Sequence, residues 1–180
     1  MDQDKYTLTR FIEAQSNVYP IALRELQGGQ KRSHWMWYTF PQLKHLGHSS
    51  NSQFYGKSGF EEATAYIDHP ILGKRMREVC ETILNLPGND AVKVFGGIDS
   101  CKLKSSMTLF DFVSPNNVFA RVLEKYFKKL FKFDSIKFLW QPSQSFLQLP
   151  LLILHNCEKG DGTSQAKRMY VQPPILAVWG

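Results

Sequence analysis

Cysteine is scarce in this chain, and what there is stands far apart: Cys80, Cys101 and Cys157 are the only three in 180 residues, with no Cys-x-x-Cys pair among them. That usage points to a reduced, intracellular chain, and the expected location is the cytosol or nucleus. Long apolar runs are also missing. No stretch approaches the roughly 20 residues of a membrane-spanning helix, so a membrane partner is not expected. Asp2, Gln3 and Asp4 after Met1 offer neither the basic nor the apolar stretch of a secretory leader. Gly-x-Gly-x-x-Gly, P-loop and Gly-x-Ser-x-Gly patterns are absent, so the familiar dinucleotide, nucleoside-triphosphatase and hydrolase routes are not signalled and no cofactor is expected. His34, His45 and His48 lack a cysteine partner, a His-Glu-x-x-His arrangement or a dense carboxylate cluster, and a metal site is not expected.

What is present reads as one ordinary globular domain. A chain of 180 residues can bury a real core without metal or disulfide staples. Its 22 Lys and Arg against 16 Asp and Glu leave a net charge of +6, which favours anionic partners in general. Helical spacing dominates up to about residue 140, and the expected fold is all-α: a compact multihelical domain over 1–140 with an irregular C-terminal extension over 141–180. Leu8, Phe11 and Ile12, then Val18, Ala22, Leu23 and Leu26, mark helical segments with a kink or a new start at Ser16-Asn17 and Pro20, stopped at Gly28-Gly29. Ser33 is placed to cap a short helix carrying Trp35 and Trp37, with Pro41 near its end. Ser58-Gly59-Phe60-Glu61 matches a capping box. Pro70 suits a first helical turn, and Leu72, Met76, Val79, Cys80, Ile83 and Leu84 continue the stripe to Pro87-Gly88. Asp90 to Phe95 forms a short helix closed by Gly96-Gly97. Leu103, Met107 and Phe110 mark the next helix, and Ser114-Pro115 resembles the start of a last one. That last helix runs from Val118 to Leu130, with Lys125, Lys128, Lys129 and Lys132 opposite its apolar face. Four prolines and a Gly160-Asp161-Gly162 turn argue against a long helix beyond Gln141.

The stretch from Lys31 to Gln42 carries the most chemistry. Lys31 and Arg32 offer donors to an anion, Ser33 and free amides at a helix start add more, and His34 is the candidate for proton transfer. Two helical positions apart, Trp35 and Trp37 point to different sides, so one is core and the other is free to stack on a ligand ring. Gln42 adds an orienting amide. Further on, Lys102 and Ser106 share a face beside the Leu103 stripe, with Ser105 next to them; Lys104 projects elsewhere, and Asp99 reads as a helix cap. Each feature also has a plain structural reading, as a solvated basic turn or a packed core. The resulting expectation is a pocket for an anionic, phosphate-bearing and nucleotide-related small molecule, formed by Lys31, Arg32, Ser33, Trp35, Trp37, Gln42, Lys102, Ser105 and Ser106. If the ligand is turned over, hydrolysis or glycosidic cleavage through His34 is the reaction class. Nucleic-acid binding through the later lysines and a protein-interaction module are the alternatives, and the sequence sets no oligomeric state.

Taken in order, Phe11-Ile12-Glu13-Ala14-Gln15, the Lys31 to Gln42 block, Tyr55, Ala65 to Gly73 and Lys102 to Phe110 resemble the domain of unknown function family numbered 1810. The resemblance runs from about residue 6 to 139. It implies a compact multihelical domain and brings no established activity. Two departures stand out: Lys104 occupies a position where family members commonly have Arg, and the chain from Gln141 onward does not look like the family's usual end.

Overall fold

The computed structural model describes residues 5–46, 48–115 and 117–127, and they form an all-α fold. Among the described residues the helices are α1 (Thr9–Ser16), α2 (Tyr19–Gln27), α3 (Met36–Thr39), α4 (Ser50–Tyr55), α5 (Phe60–Asp68), α6 (Pro70–Leu84), α7 (Ala91–Phe95), α8 (Gly97–Val113) and α9 (Val118–Phe127). A 3-10 turn covers Lys44–Leu46.

Helix α6 occupies the centre, packed on α1, α2, α5 and α9. Pro70 opens it without losing a needed N–H, and His69 Nδ1 accepts from the free amides of Ile71 (3.2 Å) and Leu72 (3.4 Å). Its buried stripe of Leu72, Met76, Val79, Cys80 and Ile83 meets a core that includes Phe11, Tyr66, Leu103, Met107, Phe110 and Phe119. Burying each such side chain contributes about 1.5–3 kcal/mol, so this stripe dominates the helix's stability. Gly73 lets α6 follow closely on α5: a Cβ there would lie 2.0 Å from the Ile67 carbonyl oxygen.

Several expected starts and ends differ in the folded chain. Ser33 does not cap α3, because Trp35 holds that position and Ser33 is engaged by Glu25. Ser58 does not form the expected box with Glu61; its amide and hydroxyl both donate to Glu62 Oε2, one residue further on, and Gly59 precedes the helix. Ser114 ends α8 rather than opening α9, whose first amide, that of Val118, is held by the Asn117 side chain. Helix α4, which sequence periodicity does not announce, is capped by Ser49, whose hydroxyl accepts from the Ser52 amide at 3.2 Å. Lys125 is not a solvated lysine. Its ammonium donates to the carbonyls of Ile83, Leu84 and Leu86, closing the C-terminal end of α6. The expected positions of Lys128, Lys129 and Lys132, Cys157 and the 141–180 extension lie outside the described residues.

Candidate functional site

The loop between α2 and α3 is built around one carboxylate. Glu25 Oε2 accepts from the amides of Arg32 (2.8 Å) and Ser33 (3.1 Å) and from the Trp35 indole (2.8 Å), while Oε1 accepts from the Ser33 hydroxyl at 2.6 Å. Burial alone would raise the Glu25 pKa, but these four donors outweigh it and hold the group down at about 2. The amide of Lys31 is tied separately to the Val94 carbonyl (2.8 Å), which fixes the loop to α7. The Ser33 hydroxyl and the two amides expected to meet a ligand are therefore already engaged within the protein.

Beyond this loop the two tryptophans divide. Trp35 is fully buried against Phe40, which in turn packs edge-on to Phe95. Trp37 is half-buried, with the Lys102 ammonium 4.8 Å from its ring centroid and the exposed His34 ring 6.5 Å away at 24°. His34 lends its carbonyl to the Tyr38 hydroxyl (2.9 Å), and Arg32 beside it is exposed.

Helix α8 brings the second half of the site. Asp99 does not act as its cap; Gly96 precedes the helix, and Asp99 sits in its first turn. There its carboxylate bridges two cations, with Lys31 Nζ at 2.6 Å from Oδ2 and Lys102 Nζ at 2.8 Å from Oδ1. Burial works to raise the Asp99 pKa, yet the two lysines prevail and lower it.

A backbone pairing completes the wall. The Lys57 amide donates to the Gln42 carbonyl (2.8 Å), and the Lys44 amide donates to the Lys57 carbonyl (3.0 Å), around an isolated bridge between Leu43 and Lys57. Glycine is required at position 56, since a Cβ would lie 2.4 Å from the Ser52 carbonyl oxygen and 2.7 Å from Lys44 Cα. The result is a cavity lined by Trp37, Phe40, Gln42, Ser52, Tyr55, Gly56 and Lys102, with a volume of about 10 Å³. That is space for about one water.

The structure thus brings Trp37, Gln42 and Lys102 to one cavity, with Lys31 joined to Lys102 through Asp99. It does not bring Ser105 or Ser106 there. Ser105 donates back to the Cys101 carbonyl (3.0 Å), and Ser106 is wholly buried, its hydroxyl without a hydrogen-bond partner among the described residues. Helical spacing gave Ser106 the flank it shares with Lys102, but helix packing covers that flank. Among the described residues no group of three His, Cys, Asp or Glu side chains is arranged to hold a metal ion, and no helix is long and apolar enough to cross a membrane. Neither Cys80 nor Cys101 is joined in a disulfide.

Sequence reasoning missed Lys57. Its side chain is fully buried, with Nζ 3.6 Å from the Phe11 ring centroid, 4.2 Å from that of Tyr66 and 3.6 Å from Glu62 Oε1. Arg10 donates to the same Glu62 oxygen at 2.5 Å. The Lys57 ammonium lies within ion-pair reach of Glu62 but has no hydrogen-bond partner among the described residues. No local pattern marks such a lysine; only the α1–α5 packing creates its surroundings.

The chain belongs to the family described as Protein of unknown function (DUF1810), whose model matches residues 5–138. It is similar to the conserved hypothetical protein Rv1873 from Mycobacterium tuberculosis, a solved structure, at 40% sequence identity and a TM-score of 0.70, over 75% of this chain and 97% of that one. No curated protein matches it.

Proposed function

We propose that this helical domain binds a phosphate-bearing, nucleotide-related small molecule at the cavity between α3 and α8. One observation carries the reading: Lys102 places a cation over the half-exposed Trp37 ring at a cavity also lined by Gln42, although these residues come from distant parts of the chain. A flat ring, an adjacent ammonium and an orienting amide suit a ligand with a planar base and an anionic end. Lys31 and the exposed Arg32 and His34 extend the basic rim. Since the cavity now holds about one water, a ligand enters by lifting the Lys102 side chain from Trp37 and widening the space between them. His34, beside the same ring, is the group to examine if the ligand is hydrolysed or loses a glycosidic bond. The dispersed cysteines favour a cytosolic or nuclear setting.

The test is calorimetric and thermal-shift titration of the whole chain against nucleotides and phosphometabolites, repeated with Lys102→Met, Arg32→Ala and His34→Ala. Selective binding should weaken about tenfold or more in Lys102→Met, equivalent to about 1.4 kcal/mol or more. Absence of binding by the folded chain, or undiminished binding by Lys102→Met, would overturn the assignment. Binding retained in His34→Ala with loss of turnover would add catalysis to it. Preference for oligonucleotides with a steep salt dependence would move the reading to nucleic acid.

A further inference from the structure

We propose that Asp99 is an internal stand-in for the ligand's anionic group, bridging Lys31 and Lys102 until a phosphate takes them over. This rests on the reading of the cavity given above and adds to it a device that sets which anions are accepted. The carboxylate presents its two oxygens to two different ammonium groups, Oδ2 to Lys31 and Oδ1 to Lys102. Two oxygens on one phosphorus offer the same forked edge. The three side chains retain 9%, 16% and 22% exposure for Lys31, Asp99 and Lys102, so the cluster is largely shielded but keeps some contact with solvent.

The lysines differ in freedom. Lys31 is held at its backbone by Val94, so its ammonium works from a fixed base. Lys102 lies one turn from Asp99 on the same helix and already reaches the Trp37 ring, so a rotation of its side chain moves the ammonium between carboxylate and cavity. When the lysines turn away, the Asp99 carboxylate keeps the favourable field of the α8 N-terminal turn, and the helix does not depend on the bridge.

Discrimination follows. A ligand carboxylate exchanges one single charge for another and gains little. A phosphate carries about −1.5 to −2 at neutral pH and competes for both lysines with more charge and more acceptor oxygens. The bridge therefore lowers affinity for every anion but penalises single charges most.

The experiment is calorimetric titration of the whole chain with inorganic pyrophosphate and with acetate, comparing wild type, Asp99→Asn and Asp99→Asn/Lys102→Met. Glu61→Gln serves as an equal charge change at an exposed position. Asp99→Asn should bind pyrophosphate about tenfold more tightly, the added Lys102→Met should remove the gain, and Glu61→Gln should shift affinity by no more than about twofold. Acetate affinity should rise in Asp99→Asn by a larger factor than pyrophosphate affinity. Unchanged or weaker pyrophosphate binding by folded Asp99→Asn, with wild type binding normally, overturns the stand-in and leaves the site intact. Failure of pyrophosphate and of nucleotides to bind either folded protein overturns both. Loss of the fold in both Asp99→Asn and Asp99→Ser also refutes the stand-in, because Asp99 would then be holding the structure together.

Discussion

Replacing Lys57 by methionine should make this protein more stable, not less. The lysine is fully buried, its ammonium has no hydrogen-bond partner among the described residues, and it shares Glu62 Oε1 with Arg10, which sits closer. Burial pushes its pKa well below the ordinary value of 10.5; Glu62 opposes that shift, while Arg10 adds to it. Methionine keeps a similar length and apolar stem while removing the charge. Exchanging buried ions for apolar groups is worth about 1–4 kcal/mol, and the lower half, about 1–2 kcal/mol, is expected because the Phe11 and Tyr66 rings offset part of the burial cost. In a chain of this size that is about 2–8 °C in Tm. The pH dependence isolates the cause. A lysine with a depressed folded pKa binds fewer protons folded than unfolded, so stability rises with pH from the folded pKa up to 10.5. Urea unfolding at pH 7, 8 and 9.5 should show wild type closing its deficit against Lys57→Met as pH increases. Glu62→Gln should act in the opposite direction, losing about 3–5 kcal/mol, because two cations lose their counter-charge. A gap that stays constant or widens with pH, or a Lys57→Met protein less stable than wild type at pH 7, would refute the reasoning.

Two further outcomes follow from the geometry. Glu25→Gln should cost about 2–3 kcal/mol, since one amide oxygen cannot replace a carboxylate accepting from four donors. The Glu25 pKa of about 2 lies below the ordinary 4.5, so its contribution is complete above 4.5 and lost as pH falls through about 2. Acid unfolding over that window should be shallower in the variant. Gly73→Ala should cost about 3 kcal/mol or more, read as a Tm loss of about 6 °C or greater, because its Cβ would meet the Ile67 carbonyl at 2.0 Å and force α5 and α6 apart. A near-neutral alanine there would show that the two helices can separate freely.

The long helices were legible because each carries a continuous apolar stripe: α6 from Leu72 to Ile83 and α9 from Val118 to Tyr126 both bury the residues that periodicity selects. Local polar signals were less dependable. Ser33, Ser58, Asp99 and Ser114 each matched a capping position, yet each was given other work by a neighbour that sequence spacing does not reveal, Glu25 for Ser33 and the pair of lysines for Asp99. Helix α4 was overlooked because its six residues, Ser50-Asn51-Ser52-Gln53-Phe54-Tyr55, carry no apolar period; the cap at Ser49 was the signal available. At the site, Trp37 and Lys102 do meet in space, while the contacts of Glu25 and Lys57 arise only from tertiary packing. A carboxylate four residues after Ser58 was visible, but nothing nearby linked it to a buried lysine.

The contrast between Trp35 and Trp37 gives the molecule two optical windows. Trp35 sits dry, its indole N–H fixed on the Glu25 carboxylate, so its emission should be blue-shifted and shielded from acrylamide. Trp37 is half-exposed beneath an ammonium, so quenchers reach it and any movement of Lys102 alters the field across its ring. With Trp140 and Trp179 replaced by phenylalanine, one chromophore reports whether the α2–α3 loop is folded, and the other whether the cavity has changed state. Unfolding and occupancy then become separate signals from one sample.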